Sequence, residues 1–224
     1  MIIGNGLIAN AIRNIDRDDV VFLAAGVSNS LETNPLQFER ERKLIERQTT
    51  ENKKLVYFST CSVLDSSKKE SLYVKHKLEM EDLIRSQSDN FLILRVSNAV
   101  GNGGNPHLLL NFLHRSILNN EAIEIHTNAT RNLIDVEDLA NITELILQNP
   151  QGNSTVNIAY LKSFPIGEIV STFERVLDKP AKKIYTEKGD SYDIEIPQIA
   201  DYFFDKGKEN HQLYLTNLIT KYYS

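Results

Sequence analysis

The sequence predicts a doubly wound α/β fold built on a mostly parallel sheet. Three features carry that expectation. Short apolar, β-rich runs alternate with helical patterns along most of the chain. The run Val20-Val21-Phe22-Leu23-Ala24-Ala25 is continuously apolar, as a strand buried on both faces is. A glycine-rich turn, Gly4-Asn5-Gly6, joins an apolar start to a helical pattern.

Taken in order, residues 1–3 read as the end of a strand and residues 7–15 as a helix with Leu7, Ile8, Ala11, Ile12 and Ile15 inward. Strand 20–25 follows, then a charged helix over 35–48 marked by Leu36, Leu44 and Ile45. Residues 54–59 form the next buried strand, 73–85 a helix and 91–96 another strand. Gly101-Asn102-Gly103-Gly104-Asn105-Pro106 is a loop signal. Helices are expected over 108–118, 135–147, 166–177 and 213–223, with strands at 123–125 and 156–159. Strands separated by helices of this size make βαβ units, and right-handed crossovers then wind the sheet on both faces.

Composition narrows the function. The 224 residues are 41% hydrophobic and 25% charged, which excludes a disordered chain. The net charge of −5 leaves no basic footprint for nucleic acid. A single cysteine, Cys61, and five histidines without HxxxH spacing argue against a disulfide framework and against a metal site. No apolar run reaches the ~18 residues of a membrane span, and the N-terminus has no signal-like pattern. A cytoplasmic enzyme or binding domain, with no membrane partner, is expected.

Gly4-Asn5-Gly6-Leu7-Ile8-Ala9 matches G-x-G-x-x-A. Gly4 permits a tight turn, Gly6 lets a pyrophosphate approach the backbone, and Ala9 allows close packing of helix on sheet. The helix N-terminus adds free N–H groups. The acidic ribose anchor expected ~20 residues on is missing, because residues 22–26 contain no acid. Farther along, Ser59-Thr60 ends a strand, and Tyr73 and Lys77 stand four apart on one helix face. A phenol titrates near ~10 in water. A neighbouring ammonium favours its phenolate, which suits proton transfer at a sugar or alcohol oxygen. Tyr-x-x-x-Lys alone is common helix decoration. The strand-end Ser-Thr and the glycine turn give it chemical context.

These motifs resemble those of the extended short-chain dehydrogenase/reductases, nucleotide-sugar epimerase/dehydratase type. Leu23-Ala24-Ala25 is similar to the strand end that lies along the cofactor. Tyr57-Phe58-Ser59-Thr60-Cys61-Ser62-Val63 is similar to the strand carrying the catalytic Ser/Thr, and Tyr73-Val74-Lys75-His76-Lys77 to the catalytic pair. Leu94-Arg95-Val96-Ser97-Asn98 is similar to the segment whose Asn touches the sugar nucleotide. Arg131 through Ala140 is similar to the segment whose Arg meets the substrate diphosphate.

The resemblance implies a Rossmann-like core over residues 1–160 and a smaller C-terminal substrate-binding region over 161–224, together one structural unit. It implies catalysis by Thr60, Tyr73 and Lys77. NAD or NADP is expected on Gly4, Asn5, Gly6, Leu7, Ile8, Ala24, Ala25 and Ser59, and a nucleotide sugar on Asn98 and Arg131. Epimerisation and 4-ketoreduction both fit, and a homodimer through helices 35–48 and 73–85 is a family expectation. A nucleotide- or protein-binding module without catalysis is the alternative.

Four departures from the family pattern stand out. Two strands and a helix are missing between the glycine helix and strand 20–25. If 20–25 is instead the second strand, Gly26-Val27-Ser28-Asn29-Ser30 would receive a 2′-phosphate. The stretch from Thr60 to Tyr73 is short. Cys61 and Ser62 replace the Asp-Glu pair of dehydratases, which disfavours 4,6-dehydration. The family's helix Asn has no counterpart between Leu36 and Glu51.

Overall fold

The computed structural model describes residues 1–49, 53–106, 108–149 and 152–224. In chain order the first half comprises β1 (Ile2–Ile3), α1 (Leu7–Ala11), β2 (Val20–Leu23), α2 (Pro35–Gln48), β3 (Lys54–Thr60), α3 (Leu72–Gln87) and β4 (Phe91–Val96). Then come β5 (Asn98–Val100), α4 (Leu109–Leu118), β6 (Ala122–His126), β7 (Thr130–Arg131), β8 (Leu133–Asp135), α5 (Val136–Gln148) and β9 (Ser154–Ile158). The chain ends with β10 (Phe164–Pro165), α6 (Ile166–Leu177), β11 (Lys182–Thr186), α7 (Ala200–Asp205) and α8 (His211–Tyr223). Among the described residues, no helix is long and apolar enough to cross a membrane.

β1, β2, β3, β4 and β9 form one parallel sheet in that spatial order. β2 and β3 are apolar on both faces because both faces are covered. Val20, Phe22, Val56 and Phe58 pack on one side with Ile12, Ile15 and the helices of the C-terminal half. Val21, Leu23, Leu55 and Tyr57 pack on the other with Ile45 of α2 and Met80 and Ile84 of α3. The first of these clusters runs on into α6, α7 and α8, so residues 161–224 share the core of the sheet. Helix ends follow their sequence signals. Asn34 caps α2 by accepting the Leu36 N–H at 3.0 Å, with Pro35 as the first helical residue. Asp135 caps α5 by accepting the Glu137 N–H at 2.9 Å.

Three expectations are corrected. A doubly wound sheet of strand order 3-2-1-4-5-6 places its second strand on the far side of the first from the fourth. Here β2 lies between β1 and β3, so it takes the fourth strand's place and β1 is an edge. That removes the alternative in which residues 20–25 are a second strand followed by a 2′-phosphate loop. The crossovers also do not share one hand. The steps β1 to β2, β2 to β3 and β3 to β4 all move one place in the same direction. α2 and α3 cover one face while the α1 segment, through Ile12 and Ile15, covers the other. The first crossover is therefore opposite in hand to the next two, against a strong general preference for right-handed units. α1 keeps the face it would serve if its crossover ran outward to further strands, and the chain turns back instead. Residues 7–15 are also not one helix, because a 3-10 turn at Arg13–Ile15 follows α1.

Candidate active site

Gly4 lies in the left-handed half of conformational space, at φ +134°. A Cβ there would stand 2.5 Å from the Ala24 carbonyl oxygen, so the glycine turn is pressed against the end of β2. This brings Gly4, Ala24 and Ala25 together at one end of the sheet. Gly6 is the N-cap of α1, and nothing lies within 4 Å of the place its Cβ would take. Asn5 is exposed, with its carbonyl accepting from Asn10 Nδ2 at 3.2 Å. Leu7 leans on Gly101 and Gly104, and Ile8 packs on the core. A tight turn with open space at the start of a helix suits a pyrophosphate. The residues thus fit a dinucleotide at its phosphates, and β1 beside them is the edge of the five-stranded sheet among the described residues.

Thr60 ends β3 and caps the 3-10 turn Cys61–Leu64, its Oγ1 accepting the Ser62 N–H at 3.1 Å. Val63 of that turn packs with Val27 and Phe38 around Tyr73 of α3. Thr60 and Tyr73 therefore flank the same turn. Lys77 follows one helical turn behind, with Nζ 5.9 Å from the Tyr73 ring centre. Its side chain is 2% exposed.

A carboxylate not singled out in the sequence holds Lys77. Glu41 of α2 is fully buried. Its Oε1 accepts from Lys77 Nζ at 2.8 Å and from the Tyr57 hydroxyl at 2.7 Å. Its Oε2 accepts the Val27 N–H at 2.7 Å and lies 3.0 Å from His76 Nε2. Lys77 Nζ also donates to the Tyr57 hydroxyl at 3.2 Å and to the Phe58 carbonyl at 3.4 Å. Gly26 closes over the group, since a Cβ there would meet Glu41 Oε1 at 2.5 Å and Lys77 Nζ at 2.7 Å. Burial alone would raise the Glu41 pKa, but the charge of Lys77 and the hydrogen bonds from His76, Lys77 and Val27 hold it well below the usual carboxylate range. Burial, then the charge of Glu41, pushes the Tyr57 phenol well above its ordinary value. Glu41 lies one helical turn before Ile45 on the buried stripe of α2, which is the one signal of its burial in the sequence.

The other sequence candidates sit as follows. The Ser59 hydroxyl points to the α3 side and donates to buried Glu81 at 2.6 Å. Arg95 binds Glu81 through Nε at 2.9 Å and Nη2 at 2.6 Å. Asn98 is exposed at the start of β5 and donates to the Asn132 carbonyl at 2.7 Å. Arg131 ends β7, and its Nη1 donates to the Thr130 carbonyl at 2.7 Å. Asp138, in the first turn of α5, is fully buried and receives the Tyr202 and Tyr214 hydroxyls and Lys208. It ties the C-terminal helices to the core.

Tyr192 is a further residue the sequence did not mark. It lies in the irregular segment 187–199, whose Glu195 carbonyl accepts from Asn157 Nδ2 at 2.9 Å. Burial first, then the charges of Cys61 and Asp65, pushes the Tyr192 phenol up to about 12, opposed by Arg131 and a hydrogen bond with Ser62. Tyr192 is thus placed beside Ser62 and near Arg131. Cys61, beside Thr60, is fully buried with Sγ 3.0 Å from the Arg95 carbonyl, and burial pushes its thiol up to about 12.

Comparison with known proteins agrees with the fold. The chain resembles MoeE5, solved with UDP-glucose and NAD, at 18% identity and a TM-score of 0.70, over 94% of this chain and 81% of that one. It resembles the UDP-glucuronic acid 4-epimerase of Bacillus cereus, solved with NAD, at 18% identity and a TM-score of 0.66, over 96% and 77%. The dTDP-glucose 4,6-dehydratase of Bacillus anthracis, also solved with NAD, gives 17% identity and a TM-score of 0.69, over 91% and 72%. At these identities the likeness is one of fold. No curated protein matches the chain. The family model described as "NAD dependent epimerase/dehydratase family" matches residues 5–159, more than half of the sequence. The chain belongs to the NAD-dependent epimerase/dehydratase family.

Proposed function

We propose that the protein is an NAD(P)-dependent epimerase or 4-ketoreductase acting on the hexose of a nucleotide sugar. The observation that supports this most is the arrangement of Thr60 and Tyr73 around the turn after β3, on the same sheet as the glycine turn. Gly4, Asn5, Gly6, Leu7 and Ile8 would hold the cofactor's phosphates, and Ala24 and Ala25 would lie along it. When bound, the nicotinamide supplies hydride exchange at a sugar carbon. The Tyr73 hydroxyl gives or takes the proton on the oxygen of that carbon, and the Thr60 hydroxyl orients the same oxygen. Lys77 stands one helical turn behind Tyr73 as a fixed positive charge. Arg131 offers a planar fork for the substrate diphosphate, and Asn98 a polar contact to the sugar nucleotide. Cys61 and Ser62 supply no carboxyl pair for removing a hydroxyl, so dehydration is not part of the reading.

Turnover of a 4-keto-6-deoxy nucleotide sugar with NADH or NADPH, and 4-epimerisation of UDP-hexoses, are the assays. Tyr73→Phe should lower kcat by at least 100-fold, the loss typical of a general acid, while substrate binding stays nearly intact. Undiminished turnover would remove Tyr73 from the mechanism.

One observation favours a second reading, a nucleotide-binding module without catalysis. β1 is an edge strand, so the adenosine half of a dinucleotide has no sheet beyond it. Binding of a nucleotide sugar with no turnover under any cofactor would select this reading.

A further inference from the structure

Lys77 has three N–H donors and three protein acceptors. An ammonium can make three hydrogen bonds and no more without sharing. The acceptors are Glu41 Oε1, the Tyr57 hydroxyl and the Phe58 carbonyl, at 2.8, 3.2 and 3.4 Å. Glu41 in turn has both oxygens occupied twice, by Lys77 and Tyr57 on one and by Val27 and His76 on the other. The cluster is closed from outside by the Gly26 backbone, which approaches so near that a methyl group there would overlap both Glu41 and Lys77. Phe38 packs at a tilt against the outer ring, that of His76, with ring centres 4.6 Å apart. Four separate elements, the loop after β2, α2, β3 and α3, meet in this one group.

A lysine that grips a ligand must present a free donor to it. Drawing Lys77 out would strip Glu41 of its counter-charge inside the core, and an unpaired buried charge is strongly disfavoured. We infer that Glu41 is a positioning residue: it holds Lys77 behind Tyr73 as a buried counter-charge, so that Lys77 makes no contact with the cofactor's ribose. The Tyr-x-x-x-Lys pair then works in this chain with the lysine acting only through space, its Nζ 5.9 Å from the Tyr73 ring centre. This rests on the cofactor reading above for its meaning, but its geometry concerns the protein alone.

The test is nitrogen-15 NMR of the lysine side chains, with Lys77 assigned by the signal missing from E41Q/K77M. That double variant replaces a buried ion pair by neutral groups of similar size and is expected to fold. Wild-type protein should give one ammonium signal whose protons exchange slowly with water, and saturating NADH should leave its nitrogen shift unmoved. E41Q should abolish the slow exchange and lower the melting temperature by about 10 °C, and E41Q/K77M should recover most of that loss. A Lys77 signal that exchanges freely in the wild type overturns the inference, as does one that moves on adding NADH. A double variant no more stable than E41Q does the same. If the wild type binds neither NADH nor NADPH, the function proposed above fails. Slow exchange and the stability cycle still decide the role of Glu41, and they need no ligand.

Discussion

Two glycines two positions apart do different work, and the difference is measurable. Gly4 is required by the backbone, with φ +134° and the Ala24 carbonyl where a side chain would begin. Gly6 has a β-region φ of −79° and open space, so an alanine fits there in the free protein. Gly4→Ala should therefore cost about 1–3 kcal/mol of stability or more. Gly6→Ala should leave the urea midpoint within about 0.5 kcal/mol of wild type, yet weaken NADH binding at least tenfold, because the added methyl occupies the phosphates' approach. Equal effects of the two substitutions on stability would contradict this division. Both glycines were readable as a motif. What distinguishes them, the carbonyl of Ala24, comes from a strand twenty residues on and is invisible to spacing.

Glu41 shows the opposite case. In Glu39-Arg40-Glu41-Arg42-Lys43 it reads as one charge in a solvated helix face. Only the fold brings Tyr57, His76, Lys77 and Val27 to it. Its position one turn from Ile45 was the faint sign. The same holds for Glu81, whose partners Ser59 and Arg95 come from two different strands.

Among the elements, α2 and α3 depend on these buried carboxylates for their docking on the sheet, and that gives stability a pH dependence. Glu41 and Glu81 are both held below their ordinary values in the folded protein, Glu41 strongly, because their cationic and hydrogen-bonding partners outweigh burial. A carboxyl with a depressed folded value contributes stability that is present above its unfolded value and lost as pH falls toward the folded one. The unfolded reference is 4.5 for glutamate, so the loss begins near there and deepens with acid. Urea midpoints measured from pH 7 downward should fall steeply below about pH 4.5. In E41Q/K77M the fall should be shallower. An acid slope identical to wild type would show that Glu41 is not the group responsible.

The principal elements were legible because burial on both faces leaves unbroken apolar runs in β2, β3 and β4, and amphipathic stripes in the helices. The short strands β5, β7, β8, β10 and β11, and helix α7, were not. β7 and β10 are two residues each and pair antiparallel, too short for any alternation to register. β11 pairs with β6 across some sixty residues of chain and is largely exposed, so neither periodicity nor hydrophobicity marks it.

For the molecule as a whole, the described residues form a parallel sheet with β1 at its edge. The strands that would lie beyond β1 are replaced by a direct turn from α1 into β2, with a crossover of opposite hand. Thr60 and Tyr73, the residues proposed to hold and move the proton, flank the turn after β3. Among the described residues no strand lies beyond β1, on the side proposed for adenosine. In the proposed function the grip on the dinucleotide would depend on the glycine turn and the end of β2. Equilibrium titration of the wild-type protein with NADH and NADPH, followed by nicotinamide fluorescence, tests that dependence directly. Saturable binding of one of them below millimolar concentration is the predicted result, and no binding of either at millimolar concentration would contradict the account.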